Sequence, residues 1–193
     1  MTRRWALRLT ACLVAGAAML TGCSEKQEAS ESLPTTSSAE PTEDALPPLG
    51  PEDLPMPDEA RTQDAAGAEA FVRYYVELIN RTSTVMDAQP LRDLSDGCRD
   101  CNRIATSVEE DAQAGKRYSG GEITIVGLGE PFMKPGTAEL ALQADVAALT
   151  VTGTSGAVDS EDSSGASPGL SGGASMRWNQ QIESWVMTGL TLE

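Results

Sequence analysis

Near Gly120 the spacing of apolar side chains changes period, and this change limits what the chain can fold into more than any other feature. Upstream, in AAGAEAFVRYYVELINRTSTVMD, Phe71, Tyr75, Leu78 and Ile79 fall at i, i+4, i+7 and i+8, one face of a helix. Downstream, GGEITIVGL alternates around Ile123 and Ile125, and AELALQADVAALTVT places Leu140, Leu142, Ala144 and Val146 on one parity. Helices first and strands afterwards form the α+β pattern, here N-terminal helices packed on a curved antiparallel sheet. The expected domain runs from residue 62 to residue 193. Its roughly 110 ordered residues suffice for one modest core.

The first helix is the most strongly marked. Its polar face holds Glu69, Arg73, Glu77 and Arg81, an i,i+4 ladder of alternating sign. AQPLRDLSDG predicts a short second helix opening near Pro90, with Leu91 and Leu94 turned inward. CNRIATSVEEDAQAG predicts a third, starting just after Cys101, with Ile104 and Val108 one turn apart. Gly115 is placed to end it in the left-handed conformation. Among the strands, Leu149 and Val151 lie on the opposite parity from Val146. A parity switch inside one strand needs an extra residue, so a bulge is expected near Ala147 and Ala148. SMRWNQQIESWVMTGLTL reads as two strands around a turn near Gln180 to Ser184. Residues 153–174 are Gly/Ser-rich, acidic and poor in large apolar side chains, and are expected to form a flexible loop between strands.

The chain opens with Arg3, Arg4 and Arg8, followed by an apolar run from Leu9 to Leu20. That is the layout of a secretory signal, and it falls short of the roughly 20 residues a membrane-spanning helix needs. Leu20-Thr21-Gly22-Cys23 then resembles the bacterial lipobox. The resemblance implies that residues 1–22 are a signal peptide and that Cys23 is the lipidated first residue of the mature chain, acylated on sulfur with groups such as palmitate. Each buried methylene contributes about 0.8 kcal/mol, so two or more acyl chains hold a protein on a membrane durably. The location implied is the cell membrane, on its extracytoplasmic face. Residues 23–61 then read as a disordered tether of Ser, Glu, Pro and Thr, which buries too little to offset its ordering entropy. A Thr-rich glycosylated stalk is the alternative reading of this segment.

Charge narrows the partners. The chain has 14 Lys and Arg against 29 Asp and Glu. Without residues 1–22 and their three arginines, 11 basic side chains face 29 acidic ones, a net charge of −18. This balance argues against nucleic acid, whose binding depends on phosphate neutralisation, and against lying flat on an anionic membrane. Histidine is absent from the sequence, which excludes Ser-His-Asp and Cys-His catalysis and His-ligated metals.

Of the four cysteines, Cys12 leaves with the signal and Cys23 is the lipid site. Cys98 and Cys101 remain, an even count expected of a disulfide in an exported protein. Cys98-Arg99-Asp100-Cys101 has three readings. One is a structural staple between the second and third helices. Another is a redox pair whose thiol pKa is lowered at a helix N-terminus. The last is a metal site, for which two thiolates without histidine are a poor set. A thioredoxin-type pair follows a strand in a βαβ unit, whereas this one follows a helical segment and a Ser-Asp-Gly turn, so the staple is the preferred reading.

GAEAFVRYYVELIN, then LSDGCRDCNRI, then the glycine-rich GKRYSGGEITIV together resemble an actinobacterial family of lipoproteins of unknown function, DUF6318, over about residues 54–130. Helices packed into a curved antiparallel sheet also resemble the NTF2-like fold. The family resemblance implies a location and a fold, with no assigned activity and no cofactor. NTF2-like cones often hold a pocket between helix and sheet, and enzymes of that fold use Asp with Tyr or His. On this chain the likeness implies Asp145 as the polar group and Tyr75 and Trp185 as apolar walls. Two functions of different class follow. One is a membrane-anchored, non-enzymatic module that binds an unknown protein or small ligand. The other is an extracytoplasmic thiol-disulfide protein using Cys98 and Cys101.

Overall fold

A helix of 21 residues, α1 (Ala65–Val85), organises the domain. Asp64 starts it, its carboxylate accepting from the Gly67 N–H at 2.8 Å. That bond, together with the Thr62 hydroxyl at 3.0 Å, holds the Asp64 carboxyl below its ordinary pKa. Met86 ends α1 with φ 59°, returning its N–H to the Thr82 carbonyl. Phe71, Val72, Tyr75, Leu78 and Ile79 are buried, as their spacing requires. The protein is described here by a computed structural model covering residues 47–193. The expected signal peptide, the expected lipid site Cys23 and the expected tether as far as residue 46 lie outside the described residues.

Helix α2 (Gln89–Asp93) carries Pro90 in its first turn and buries Leu91. Helix α3 (Arg99–Gln113) ends at Ala114, followed by Gly115 at φ 72°. Eight strands follow: β1 (Arg117–Gly120), β2 (Ile123–Leu128), β3 (Phe132–Lys134), β4 (Thr137–Val146), β5 (Leu149–Thr152), β6 (Val158–Ser164), β7 (Ser167–Asn179) and β8 (Ser184–Leu192). They form two antiparallel sheets. The larger runs β2-β4-β7-β8, with β3 also paired to β4, and the smaller runs β1-β5-β6. The fold class is α+β, as the change of period indicated.

The core lies between the helices and one face of the larger sheet. Phe71, Tyr75 and Leu78 of α1 meet Leu140 and Leu142 of β4, Met176 of β7 and Trp185 and Met187 of β8 in one cluster. Each large apolar side chain fully removed from water there contributes about 1.5–3 kcal/mol. Two contacts tie the sheet's outer strands to the helical layer. Asn80 pairs with the backbone of Ile123, and the segment after α2 pairs with β8 through Met187 N–H to the Leu94 carbonyl and Asp96 N–H to the Met187 carbonyl, both 2.9 Å.

Four expectations are corrected. The domain begins before residue 62. Met56, Ala60 and Arg61 are buried, and Leu49 and Leu54 pack against the core. Residues 47–61 thus form a strap over the core, fastened mainly through backbone carbonyls, which composition does not reveal. The Arg61 guanidinium donates to the carbonyls of Pro47 (2.7 Å) and Ile182 (2.9 Å), the Tyr74 hydroxyl to Leu54 (3.0 Å), and the Trp185 indole to Thr62 (2.9 Å). At Gly50, φ is 84° and a Cβ would fall 1.9 Å from the Tyr74 hydroxyl, so glycine is required.

Residues 153–174 are largely strand, comprising β6 and the first half of β7. Gly and Ser pair through their backbones, so a strand here needs no large side chain. The parity switch after Val146 is a break between sheets in place of a bulge. β4 ends at Val146, and Leu149 begins β5 in the smaller sheet. Irregular register occurs instead between Ile125 and Gly127, between Ala144 and Val146, and between Ser175 and Met176. Finally, α3 starts within the C-x-x-C motif, because Cys98 serves as its N-cap.

Candidate functional site

The Cys98–Cys101 disulfide closes the first turn of α3, with its Cα atoms 5.3 Å apart. The Cys98 sulfur accepts from the Cys101 N–H at 3.2 Å, the bond a capping serine would make. Both sulfurs face the core, and the residues are 0 % and 1 % exposed. The two intervening residues therefore point outward. The Arg99 side chain is 90 % exposed. Asp100 lies 3.8 Å from Arg99 and 3.5 Å from Arg103, so two guanidinium groups share one carboxylate. An acid in this first turn also suits the positive end of the helix.

Arg99 and Asp100 border a wide groove of about 830 Å³. Its floor is the face of the larger sheet turned away from the core, a consequence of strand parity. Leu140, Ala174 and Leu190 are register partners facing inward, so their neighbours face out. Those outward neighbours form two ranks, Glu139-Ser175-Gly189 and Ala141-Gly173-Thr191. Gly189 keeps the floor low, since a Cβ there would lie 2.6 Å from the Ser175 hydroxyl. Phe132, 62 % exposed, stands on the far wall beside Glu130. Arg99, Asp100 and Thr191 also line a neighbouring cavity of about 230 Å³ with Ile104 and Ile123. The groove offers hydroxyls, carboxylates, the exposed Arg99 guanidinium beside Asp100 and one exposed aromatic ring, which is binding chemistry. Among the described residues, no group of three or more Cys, Asp or Glu is placed to hold a metal ion.

The three residues expected to line a pocket are not brought together. Tyr75 is buried in the core, its hydroxyl donating to the Leu91 carbonyl at 3.3 Å, and burial pushes its pKa up to about 12. Trp185 is also fully buried, edge-on to Trp178 with ring centroids 5.4 Å apart. Asp145 is exposed and accepts from the Gly169 N–H at 2.7 Å. The parity that turns Leu142 and Ala144 inward turns Asp145 out. Sequence reasoning missed Phe132, Glu130 and Thr191. The available signal was glycine in strand interiors, at Gly173 and Gly189, which marks a close approach.

Comparison with known proteins bears on this fold. A family described as "Family of unknown function (DUF6318)" matches residues 51–191. The chain belongs to that family. The match begins inside the strap and takes in its part from residue 51 onward, and it contains both cysteines of the disulfide and every residue named in the groove. Among solved structures, the DUF6318 domain is similar to the intermembrane space region of chloroplast protein ARC6, at 14 % identity and a TM-score of 0.46, over 68 % of this chain and 97 % of that one. It is similar to Aln2 from a Streptomyces species at 16 % identity and a TM-score of 0.31, over 64 % of this chain and 90 % of that one. Neither likeness is strong enough to carry an argument about function. A comparison with curated proteins found no match. Among the described residues, no helix is long and apolar enough to cross a membrane.

Proposed function

We propose that this DUF6318 chain is an extracytoplasmic lipoprotein, anchored through Cys23, whose domain is a binding module that takes a protein or small ligand in the groove. The basic head, the short apolar run and Leu20-Thr21-Gly22-Cys23 support the anchor. The observation that carries the binding reading is the groove itself, about 830 Å³ over a floor of small residues between Phe132 and the stapled start of α3. The staple's part is positional. It fixes the first turn of α3, and so the direction in which Arg99 and Asp100 project. The thiol-disulfide alternative draws on the placement of the pair at a helix start, but burial of both sulfurs supports the staple.

The test is photo-crosslinking in intact cells from the full-length protein. The reactive residue is placed at Ala141 or Thr191 in the groove, or at exposed Gln113 as a control. Adducts of defined mass from the two groove positions alone, abolished by Gly173→Trp, are expected. Identical adducts from all three positions, or none, defeat the binding reading. Separately, Cys23→Ser should release the protein from membranes or leave it unprocessed. A mature N-terminus elsewhere with no added lipid defeats the anchor.

A further inference from the structure

Strand β6 sits in the smaller sheet with little to keep it there. No side chain from Val158 to Ser164 is buried, and Val158 is 61 % exposed. Its pairing to β5 is irregular, since Leu149 faces Ser164 while Val151 faces Asp159. Asp159, Glu161 and Asp162 repel one another along seven residues of strand. A strand of this composition, flanked by Gly153, Gly156 and Gly165, gains almost nothing from apolar burial.

What offsets these costs is one cation. Lys116, between the end of α3 and the start of β1, reaches Asp159 at 3.1 Å, Asp111 at 3.3 Å and also Asp162. Asp111 belongs to α3, and its carboxylate also accepts from the Tyr118 hydroxyl. One ammonium group thus joins the helical layer, β1 and β6. The three carboxylates raise the Lys116 pKa above its ordinary value, so it stays charged through the physiological range. The Lys116 side chain is 21 % exposed, so salt reaches it.

We propose that β6 is a detachable arm of the smaller sheet, latched by Lys116 through Asp159 and Asp162 and released as ionic strength rises. Release uncovers the hydrogen-bonding edge of β5, including the Val151 N–H, which in the latched state donates to the Ser163 hydroxyl at 3.0 Å. The physical basis is screening. The Debye length shrinks from about 10 Å at 0.1 M salt to about 3 Å at 1 M. Apolar packing does not weaken in that range, so β4 and β7 should not follow β6.

Hydrogen exchange on the full chain tests this. Amides of β5 and β6 should exchange about three- to tenfold faster at about 1 M NaCl than at about 0.05 M, with α1 and the centre of β4 unchanged. Lys116→Gln should show the fast rate already at low salt and no further acceleration as salt rises, since salt then only relieves the repulsion among Asp159, Glu161 and Asp162. Lys116→Arg, which keeps the charge, should retain the salt response. Exchange of β6 that is independent of salt in the unaltered protein overturns the proposal. So does a Lys116→Gln variant whose β6 exchanges like the unaltered protein. Should Lys116→Gln lose α1 protection and so fail to fold, the salt series on the unaltered protein decides by itself.

Discussion

Asn80 pairs with Ile123 as a neighbouring strand would. Its side-chain nitrogen donates to the Ile123 carbonyl at 2.9 Å, and its side-chain oxygen accepts from the Ile123 N–H at 2.8 Å. A helix side chain thereby supplies both hydrogen bonds that the first residue of β2 lacks on its outer side. Replacing Asn80 by Ala leaves a partly buried donor and acceptor without partners. The expected loss is about 1–3 kcal/mol in urea unfolding. Asn80→Asp keeps the acceptor, loses the donor and places a charge there, so it should cost at least as much. A change under about 0.5 kcal/mol for Asn80→Ala would mean that water replaces the amide at no cost.

Arg61 is 9 % exposed and donates to carbonyls from two distant segments, Pro47 and Ile182. Lysine keeps the charge but lacks the planar fork that reaches both carbonyls. Arg61→Lys should therefore destabilise by about 1–2 kcal/mol, and Arg61→Met by more, since it leaves both carbonyls unpaired. Limited proteolysis should show the difference locally, with cleavage between residues 47 and 57 appearing before cleavage elsewhere. Uniform cleavage across the domain would show that Arg61 does not hold the strap in particular.

Alkaline pH should destabilise the domain through Tyr75. Burial pushes its phenol from 10.0 to about 12 in the folded protein. The folded state then holds a proton that the unfolded state releases between these values, so stability falls as pH rises across that window. The contribution is fully present below pH 10 and amounts to about 2–3 kcal/mol by the time it is lost. Urea midpoints measured from neutral pH to pH 12 should decline, and Tyr75→Phe should reduce the decline without abolishing it, since burial pushes the Tyr74 phenol up to about 12 as well. A parallel decline in Tyr75→Phe would assign the effect to other groups.

The double variant Cys98→Ser, Cys101→Ser should fold, with a loss of about 1–3 kcal/mol. The closed loop is short, so little chain entropy is at stake. A serine hydroxyl in place of the Cys98 sulfur would also accept the capping bond that the sulfur now accepts from the N–H of residue 101. Circular dichroism and a melting curve check this. A reduction potential below about −300 mV fits a buried staple, while a value near −150 mV with disulfide reductase activity would make the pair catalytic.

Legibility in the sequence followed the size of the side chains involved. The inner face of α1 was legible because Phe71, Tyr75, Leu78 and Ile79 are large and evenly spaced. The strap was not, because four scattered residues (Leu49, Leu54, Met56 and Ala60) and a set of carbonyl acceptors vanish in a Pro-rich average. The parity switch after Val146 was seen correctly and assigned wrongly, since a bulge and a change of sheet leave the same mark on alternation. The disulfide followed from counting cysteines. The groove could not be counted, because it consists of side chains that are missing, at Gly173 and Gly189, brought into line by register. Tyr75 and Trp185 were read as pocket walls, yet each has its polar tip satisfied by a backbone carbonyl and packs into the core.

The contacts at Ile123 and Met187 have a consequence for molecules that crowd together. A copy approaching β2 finds the Ile123 valences filled by Asn80, and one approaching β8 finds those of Met187 filled by Leu94 and Asp96. β3, on the same side of β4 as β2, is three residues long and too short to template a neighbour. Ribbons grow by adding strands to open margins, and at Ile123 and Met187 the margin is occupied by the protein's own helical layer. At high local concentration, a copy adding to the larger sheet therefore meets an edge that is interrupted at these two residues.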